Sequence, residues 1–307
     1  MKMKLSLIIA VVVLFISTGA FSQEQKKPDS NFFIYLCFGQ SNMEAGSKPE
    51  TQDLRTLDPR FQKLAAVDNL RMDRKMGQWY TATLPINRPE NYMSPVDSFS
   101  RNMVESLPKE YRVGVINVSV AGTGIELWDK DDREKYLDIR EQWMRKIVNQ
   151  YNGSPYKRLV GMAEIAQNDG VIKGILLHQG ESNSTDKEWS NKVKAIYDNM
   201  MKDLNLKPEE VLLLAGELMS KEESGVCYAF NDNILPNLPK ILPNAHIISS
   251  KGVKGTRDQF HFNTEGMREP GKRYAQQMLK IQGFESKDVT SPGILKTPET
   301  QPAAMGN

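Results

Sequence analysis

Cysteine and histidine are scarce in this sequence, with two cysteines and three histidines among 307 residues. So few cysteines exclude a disulfide-rich scaffold. Cys37 lies inside an apolar run, which favours a buried free thiol, and pairing with Cys227 stays open. A metal centre is not indicated either, because His178 and Glu181 have no third ligand close by. We therefore expect no metal and no other cofactor.

Long runs of one charge are also missing. The chain has 40 Lys and Arg against 38 Asp and Glu, and it contains no extended basic stretch. This composition gives no reason to expect nucleic acid or an acidic membrane surface as a partner.

One apolar run stands out, from Leu5 to Ile16, behind Lys2 and Lys4 and ahead of small residues. It is shorter than the roughly 20 residues that a membrane span needs, which favours a secretory signal peptide over residues 1–22 rather than an anchor. Cleavage would leave a short linker over residues 23–30 and a chain with no net charge by this count. We expect an exported protein, periplasmic or extracellular, with no membrane attachment once the signal is removed.

Residues 31–282 alternate between apolar runs of strand length and stretches of helical periodicity. The apolar runs are 32–38, 113–118, 171–177, 211–215 and 245–249. The helical stretches are 133–150, 155–168, 187–204, 230–238 and 265–281. Nearly continuous apolar runs are typical of parallel strands covered on both faces by helices. The pattern predicts a single doubly wound α/β domain, with a mainly parallel sheet of about five strands flanked by helices.

Two regions depart from this alternation. Residues 47–93 are polar and interrupted by proline, and we interpret them as long loops beside the sheet, where loops often border sites. Residues 283–307 are rich in Ser, Pro, Thr and Lys, which predicts a disordered C-terminal tail.

Small and polar residues follow the first three strands, where ligands collect in such folds. The three segments are Gly39-Gln40-Ser41-Asn42, Ala121-Gly122-Thr123-Gly124 and His178-Gln179-Gly180-Glu181. Ser41 is a candidate nucleophile, because a turn from strand to helix presents its hydroxyl at the sheet edge. An ordinary helix-capping serine is the alternative that this segment alone does not exclude.

His261 is the best candidate for a general base among the three histidines. His246 lies in an apolar run and is interpreted as a core residue, while His178 ends a strand at the edge of the site. Only His261 has an acid three residues earlier, Asp258, whose carboxylate can fold back onto one ring nitrogen and leave the other free.

The ordered segments resemble the conserved blocks of SGNH hydrolases, which have a flavodoxin-like three-layer fold. More narrowly, Gly39-Gln40-Ser41-Asn42-Met43 with His178-Gln179-Gly180-Glu181 is similar to the sialate O-acetylesterase and acetylxylan esterase branch, carbohydrate esterase family six. The resemblance implies Ser41 as nucleophile, His261 as base and Asp258 as the acid that orients it. It leaves Glu181 open as an alternative triad acid, because some relatives use the glutamate of this motif.

The resemblance also implies an oxyanion hole formed by the Ser41 amide, the Gly122 amide and the Gln179 side chain. The second block reads Ala-Gly-Thr-Gly where the family has Gly-Gly-Thr-Ser, so the inward-pointing amide of residues 121–124 stays open. Gln40, Asn42 and Trp128 are assigned to substrate binding, with Gln40 and Asn42 also holding the loop.

By this resemblance the chain is expected to be a serine esterase that removes O-acetyl groups from a carbohydrate partner through an acyl-enzyme on Ser41. Acetylated xylan, acetylated sialic acid and other acetylated glycans all remain possible substrates. Two alternatives stay open: an inactive carbohydrate-binding protein of the same fold, and a broad short-chain or lipase-like carboxylesterase. The sequence gives no indication of the oligomeric state.

Overall fold

The computed structural model describes residues 27–44, 46–54, 58–89, 91–131 and 133–287 of the chain. The predicted signal peptide, residues 1–22, and most of the predicted tail lie outside these residues. In the described part of the chain, one sheet contains seven strands. They are β1 Phe32–Gly39, β2 Phe61–Leu64, β3 Trp79–Thr81, β4 Arg112–Ser119, β5 Val171–His178, β6 Leu212–Gly216 and β7 Ala245–Ile248.

The sheet order is β3-β2-β4-β1-β5-β6-β7. All neighbouring pairs are parallel except β2 with β3. Without β2 and β3, the strands follow a doubly wound order in which the chain leaves β1 first toward β4 and later toward β5. The carboxyl end of β1 therefore lies at the topological switch point, where such folds bind ligands.

The helices of the described residues cover both faces of this sheet. They are α1 Ser41–Glu44, α2 Pro95–Ser106, α3 Arg133–Asp138, α4 Gln142–Gln150, α5 Pro155–Ala166, α6 Trp189–Asp203, α7 Ala229–Asn233, α8 Leu238–Ile241 and α9 Thr264–Ile281. None of them is long and apolar enough to cross a bilayer.

Two cores form because the side chains of β1 alternate between the faces of the sheet. Ile34, Leu36 and Phe38 point into a core that α4, α5 and α6 complete. Their neighbours Phe33, Tyr35 and Cys37 point into the opposite core, against α2 and α9. With both faces covered, β1 is buried throughout its length, as the unbroken apolar run predicts.

The predicted α/β domain with a mainly parallel sheet is confirmed, but the expected number of strands is too low. The interpretation of residues 47–93 as loops is wrong at β2 and β3. These strands have four and three residues and mix polar with apolar side chains, so neither shows the long apolar run of a central strand. Phe61 and Leu64 are nonetheless buried in β2, which pairs with β4 on one side and with β3 on the other.

The helical stretches also differ in detail from the prediction. Residues 133–150 form two helices, α3 and α4, which are separated at Ile139, a residue 78% exposed. Residues 230–238 break at Pro236 into α7 and a 3-10 turn, because proline has no amide hydrogen to continue the helix. The last helix begins as expected, with the Asn263 side chain accepting a hydrogen bond from the Gly266 amide at 2.8 Å.

The chain stays packed on the domain beyond the predicted boundary at residue 282. The Phe284 ring lies 5.3 Å from the ring of Tyr111, and the Lys287 amide donates to the Ser106 hydroxyl. Residues 283–287 of the predicted tail are therefore packed against the domain, and residues 288–307 lie outside the described part of the chain.

Candidate active site

The turn after β1 places Ser41 at the sheet edge. Gly39 ends the strand with φ of +152°, and a Cβ atom there would lie 2.1 Å from the carbonyl oxygen of His178 on β5. Only glycine fits this close approach of two backbones. The chain then turns into α1, which leaves the side chain of Ser41 partly exposed.

Ser41, His261 and Asp258 form a continuous chain of hydrogen bonds. His261 Nε2 lies 2.8 Å from Ser41 Oγ, and His261 Nδ1 lies 2.7 Å from Asp258 Oδ2. Asp258 is acceptor-only when ionised, which assigns the imidazole proton to Nδ1 and leaves Nε2 to accept the serine proton. This arrangement can activate a hydroxyl nucleophile.

Asp258 is kept ionised by its own loop. Burial acts to raise its pKa, but hydrogen bonds from the His261 ring and from the Phe260 and His261 amides outweigh that effect and lower it. The hydroxyl of Thr256 donates to the same oxygen as the two amides, at 2.7 Å. The local sequence from 256 to 261 therefore orients the carboxylate toward the ring.

Asn42 ties the nucleophile turn to the histidine loop. Its Nδ2 donates to the Phe260 carbonyl at 2.9 Å, and its Oδ1 accepts from the Phe262 amide at 3.1 Å. The hydroxyl of Ser47 donates to the Phe262 carbonyl at 2.9 Å. These contacts hold two loops that are far apart in sequence, so that Ser41 and His261 meet.

Glu181 lies behind Asn42 and is not hydrogen-bonded to the imidazole. One of its carboxylate oxygens accepts from Asn42 Nδ2 at 2.7 Å, while the other is buried without a partner. Burial raises the pKa of Glu181, against the opposing effect of hydrogen bonds from its own amide and from Asn42. The position that orients His261 is therefore occupied by Asp258.

The loop after β4 contributes backbone amides next to Ser41. The amide of Ala121 donates to Glu44 Oε2 at 2.9 Å, and the amide of Gly124 donates to the Tyr136 hydroxyl at 2.6 Å. Gly122 is exposed, with φ of +69°, and its amide donates to no acceptor in the described residues. This leaves Gly122 as the exposed candidate for an oxyanion donor in this loop.

A family of known proteins has the same organisation. The model of the family described as "Carbohydrate esterase, sialic acid-specific acetylesterase" matches residues 31–280, well over half of the chain. The chain belongs to this family. It is a carboxylic ester hydrolase, and the resemblance inferred from the motifs is confirmed.

Solved structures similar to this carbohydrate esterase share its fold at low sequence identity. The protein AT4G34215 from Arabidopsis thaliana is 20% identical, with a TM-score of 0.60, over 82% of this chain and 99% of the other. NanS is 14% identical, with a TM-score of 0.60, over 84% of this chain and 99% of the other. XAC1771, a carbohydrate acetylesterase from Xanthomonas citri, is 17% identical, with a TM-score of 0.56, over 81% of this chain but 56% of its own.

The structure does not place Gln179 as a donor for the oxyanion in this esterase. Its side chain is buried, and Nε2 lies 2.7 Å from Asn183 Oδ1 and 3.2 Å from both Gln40 Oε1 and the Thr123 carbonyl. Its Oε1 accepts from the indole of Trp189. The two protons of the Gln179 side-chain amide already have three acceptors within the protein. The side chain therefore connects the loops, and the structure does not support its expected role in the oxyanion hole.

The three residues assigned to substrate binding are all buried. Gln40 is 3% exposed, and its Oε1 accepts from Gln179, so it holds the loop. Asn42, 0% exposed, holds the histidine loop as described above. Trp128 is also 0% exposed, and its ring packs 4.8 Å from that of Phe38. Their predicted contact with substrate is wrong, because none of the three side chains reaches the surface.

His178 also lies beneath the site and not at its rim. It is 1% exposed and packs edge-on against Phe262, and burial lowers its pKa to about 4. In the part of the chain that the structure describes, no group of three or more His, Cys, Asp or Glu side chains is arranged to hold a metal ion.

Sequence reasoning missed the ion pair beside the nucleophile turn. Arg88 Nε donates to Glu44 Oε1 at 2.7 Å, and the side chains are only 12% and 5% exposed. The other oxygen of Glu44 accepts the Ala121 amide, so the pair connects the inserted region 47–93 to the candidate oxyanion loop. The signal that could have indicated this ion pair is Glu44, a charged residue at the end of the mostly buried segment that carries Ser41.

Proposed function

We propose that this esterase removes O-acetyl groups from carbohydrates through an acetyl-enzyme on Ser41. The observation that carries the proposal is the chain of hydrogen bonds from Ser41 through His261 to Asp258. Membership of the carbohydrate esterase family supports the class of substrate. The N-terminal sequence supports export to a compartment where such glycans occur.

In the first half-reaction, Ser41 Oγ attacks the acetyl carbonyl carbon while His261 Nε2 takes its proton. The electron pair of the carbonyl moves to oxygen, which the amides of Ser41 and Gly122 stabilise by hydrogen bonds. Each such donor supplies about 3 kcal/mol of transition-state stabilisation. The intermediate then collapses, and His261 returns the proton to the departing sugar oxygen, leaving acetyl-Ser41.

In the second half-reaction, His261 takes a proton from water, which attacks the acetyl carbon. Collapse releases acetate, and the proton returns to Ser41 Oγ. Asp258 stays ionised throughout and stabilises the imidazolium that forms twice in the cycle. The depressed pKa of Asp258 fits this role, because a carboxylate that titrated near neutral pH would lose the hydrogen-bond acceptor that fixes the ring.

The test is release of acetate from acetylated xylan and from O-acetylated sialic acid by the wild type and by Ser41→Ala. We expect release to fall by a factor on the order of 10⁵ or more in Ser41→Ala. Ser182→Ala is the matched control, since Ser182 is an exposed serine of the adjacent segment whose hydroxyl is not bonded to His261. Equal release by wild type and Ser41→Ala would reject Ser41 as nucleophile.

Chain-length preference separates an acetylesterase from a lipase-like esterase. We expect p-nitrophenyl acetate to be hydrolysed with higher kcat/KM than p-nitrophenyl octanoate. A strong preference for octanoate would reject deacetylation as the main reaction, even if Ser41→Ala is inactive.

A further inference from the structure

Trp143, a residue that the sequence analysis did not single out, lies directly against the candidate oxyanion loop. It is the second residue of α4 and is 49% exposed. A Cβ atom placed on Gly122 would lie 3.0 Å from Cη2 and 3.6 Å from Cζ2 of its indole. The outer edge of the indole thus borders the backbone of the residue that we propose as an oxyanion donor.

The neighbourhood of Gly122 is fixed relative to Ser41 by backbone hydrogen bonds. Gly39 pairs with Ser119, and the Val120 amide donates to the Gly39 carbonyl at 3.1 Å. Ala121, the next residue, is held by Glu44 at the end of α1. These contacts lie two or three residues from Ser41 in one segment and at most three residues from Gly122 in the other. Trp143, which borders Gly122, therefore lies at the entrance of the site.

A second exposed aromatic residue lies in the loop that carries the catalytic candidates Asp258 and His261. Phe260 is 42% exposed and lies between Asp258 and His261, with its carbonyl held by Asn42. An aromatic ring left in water has an apolar face, and a tryptophan also has a polar N–H, which suits it to a ligand that is apolar on one side and polar on the other. Aromatic residues in this setting offer a ring face at little entropic cost, since only two side-chain torsions must be fixed.

The other three tryptophans do not offer such a surface. Trp128 and Trp189 are 0% exposed. Trp79 packs on Phe32 and donates to Asp169, at the amino ends of β1 and β5. Eight residues of β1 separate that end from Ser41, about 26 Å at 3.3 Å per residue. Trp143 is therefore the exposed tryptophan on the catalytic edge of the sheet.

We infer that Trp143 forms a subsite for the sugar ring that carries the acetyl group. The inference rests on the proposed function for the class of substrate, and it assigns the residue that recognises it. A pyranose has patches of C–H groups on its faces that pack on an indole, while its hydroxyls stay in water. The Trp143 Nε1 donates to no acceptor in the described residues, so it is free to donate to a sugar oxygen.

The kinetic test compares a sugar ester with an ester that lacks a ring. For the sugar acetate that the wild type cleaves, Trp143→Ala is expected to lower kcat/KM about tenfold, through an increase in KM. In Trp143→Ala, kcat/KM for ethyl acetate is expected to change less than twofold. Trp143→Phe is expected to recover most of the kcat/KM that Trp143→Ala loses on the sugar acetate. Ile139→Ala is the matched control, because Ile139 is an apolar residue of the turn before α4 that is 78% exposed. Equal losses on both esters would overturn the inference, since Trp143 would then only support the Gly122 backbone.

A binding test separates this inference from the proposed function. In Ser41→Ala, xylotriose or N-acetylneuraminic acid is expected to change the tryptophan fluorescence, and Trp143→Phe to remove that change. Binding without acetate release by the wild type would reject the proposed reaction and support the subsite. Failure of both sugars to change the fluorescence, or an unchanged response in Trp143→Phe, would overturn the subsite whether or not esters are cleaved.

Discussion

At the scale of single residues, two carboxylates near His261 have different environments, from which we expect different roles. Asp258 receives hydrogen bonds from the imidazole, two amides and a hydroxyl, which lower its pKa. Among the described residues, Asn42 is the one other residue that donates to the Glu181 carboxylate, and its second oxygen is buried without a partner. Asp258 can orient and stabilise the imidazolium, while Glu181 supports the turn through Asn42.

We predict that Asp258→Asn lowers kcat by about 10⁴-fold, because the amide favours the wrong imidazole tautomer. Glu181→Gln is expected to cost less than about tenfold, since an amide oxygen still accepts from Asn42. Steady-state kinetics on p-nitrophenyl acetate checks both. A larger loss in Glu181→Gln than in Asp258→Asn would reverse the assignment of the triad acid.

The raised pKa of Glu181 predicts how stability depends on pH. A carboxyl whose pKa is higher in the folded state than its ordinary value of 4.5 binds protons more tightly when folded. The contribution of Glu181 to the free energy of unfolding therefore falls as pH rises from that value through the raised one. Glu181→Gln lacks this loss, so its melting temperature should exceed that of the wild type at neutral pH and approach it below about pH 4. A constant difference at all pH values would contradict this prediction.

At the scale of elements, the segment from the end of β3 to Arg88 supports the catalytic edge of the sheet, although its composition is that of a loop. Two buried cationic side chains donate hydrogen bonds to backbone carbonyls of this segment. Lys63 Nζ donates to the Pro85 carbonyl at 3.0 Å, and Arg74 donates to the Thr83 and Pro85 carbonyls, each at 3.1 Å. Burial, and repulsion from Arg74, lower the pKa of Lys63. The segment ends at Arg88, and these hydrogen bonds help to place Arg88 in its ion pair with Glu44.

We predict that Arg88→Met lowers kcat about tenfold with little change in KM, because Glu44 would no longer hold the Ala121 amide and the Gly122 loop in place. It should also lower the free energy of unfolding by about 3 kcal/mol, since the buried Glu44 carboxylate loses its partner. Kinetics and urea unfolding measure the two effects.

The double variant Arg88→Met with Glu44→Gln is the control for this element. Removing both charges should recover most of the stability, because no buried charge remains unpaired. If Arg88→Met is destabilised but keeps full kcat, the ion pair only stabilises the fold and does not position the loop.

At the scale of the whole molecule, the two cores are stabilised without a covalent link. Cys37 and Cys227 are both free, which answers the question that the sequence left open. Cys37 lies in the middle of the sheet at 0% exposure, whereas Cys227 is half-buried near Glu181. Burial raises the pKa of both thiols.

We predict that a reductant does not change the melting temperature of the mature protein. A disulfide closing so long a loop would contribute about 4 kcal/mol or more, so its reduction would be visible. Iodoacetamide should label Cys227 in the folded protein and Cys37 only after unfolding, with Cys227→Ser as the control. A melting temperature that falls on reduction would contradict the free thiols.

The sequence predicted the central strands well because a strand buried on both faces must be apolar at every position. It indicated that Ser41, Asp258 and His261 would meet, as they do, because each follows a strand or lies in a local turn whose chemistry can be recognised from neighbouring residues, and their catalytic roles stay predictions. β2 and β3 were missed, since a strand of three or four residues carries too few side chains to show a pattern. Trp128 was misassigned because a tryptophan next to a motif looks the same in sequence whether its ring faces the core or the solvent.

By itself, the sequence determined the fold class, the order of the strand-end segments and the residue types available for ester hydrolysis, because these depend on local patterns. Only the tertiary structure decided which partner each group has. It keeps Glu181 away from the imidazole, engages the Gln179 side chain inside the protein, pairs Arg88 with Glu44 and leaves the ring of Trp143 in water beside Gly122. Those outcomes depend on contacts between distant segments, such as Arg88 with Glu44 and Glu181 with Asn42, which no local pattern records.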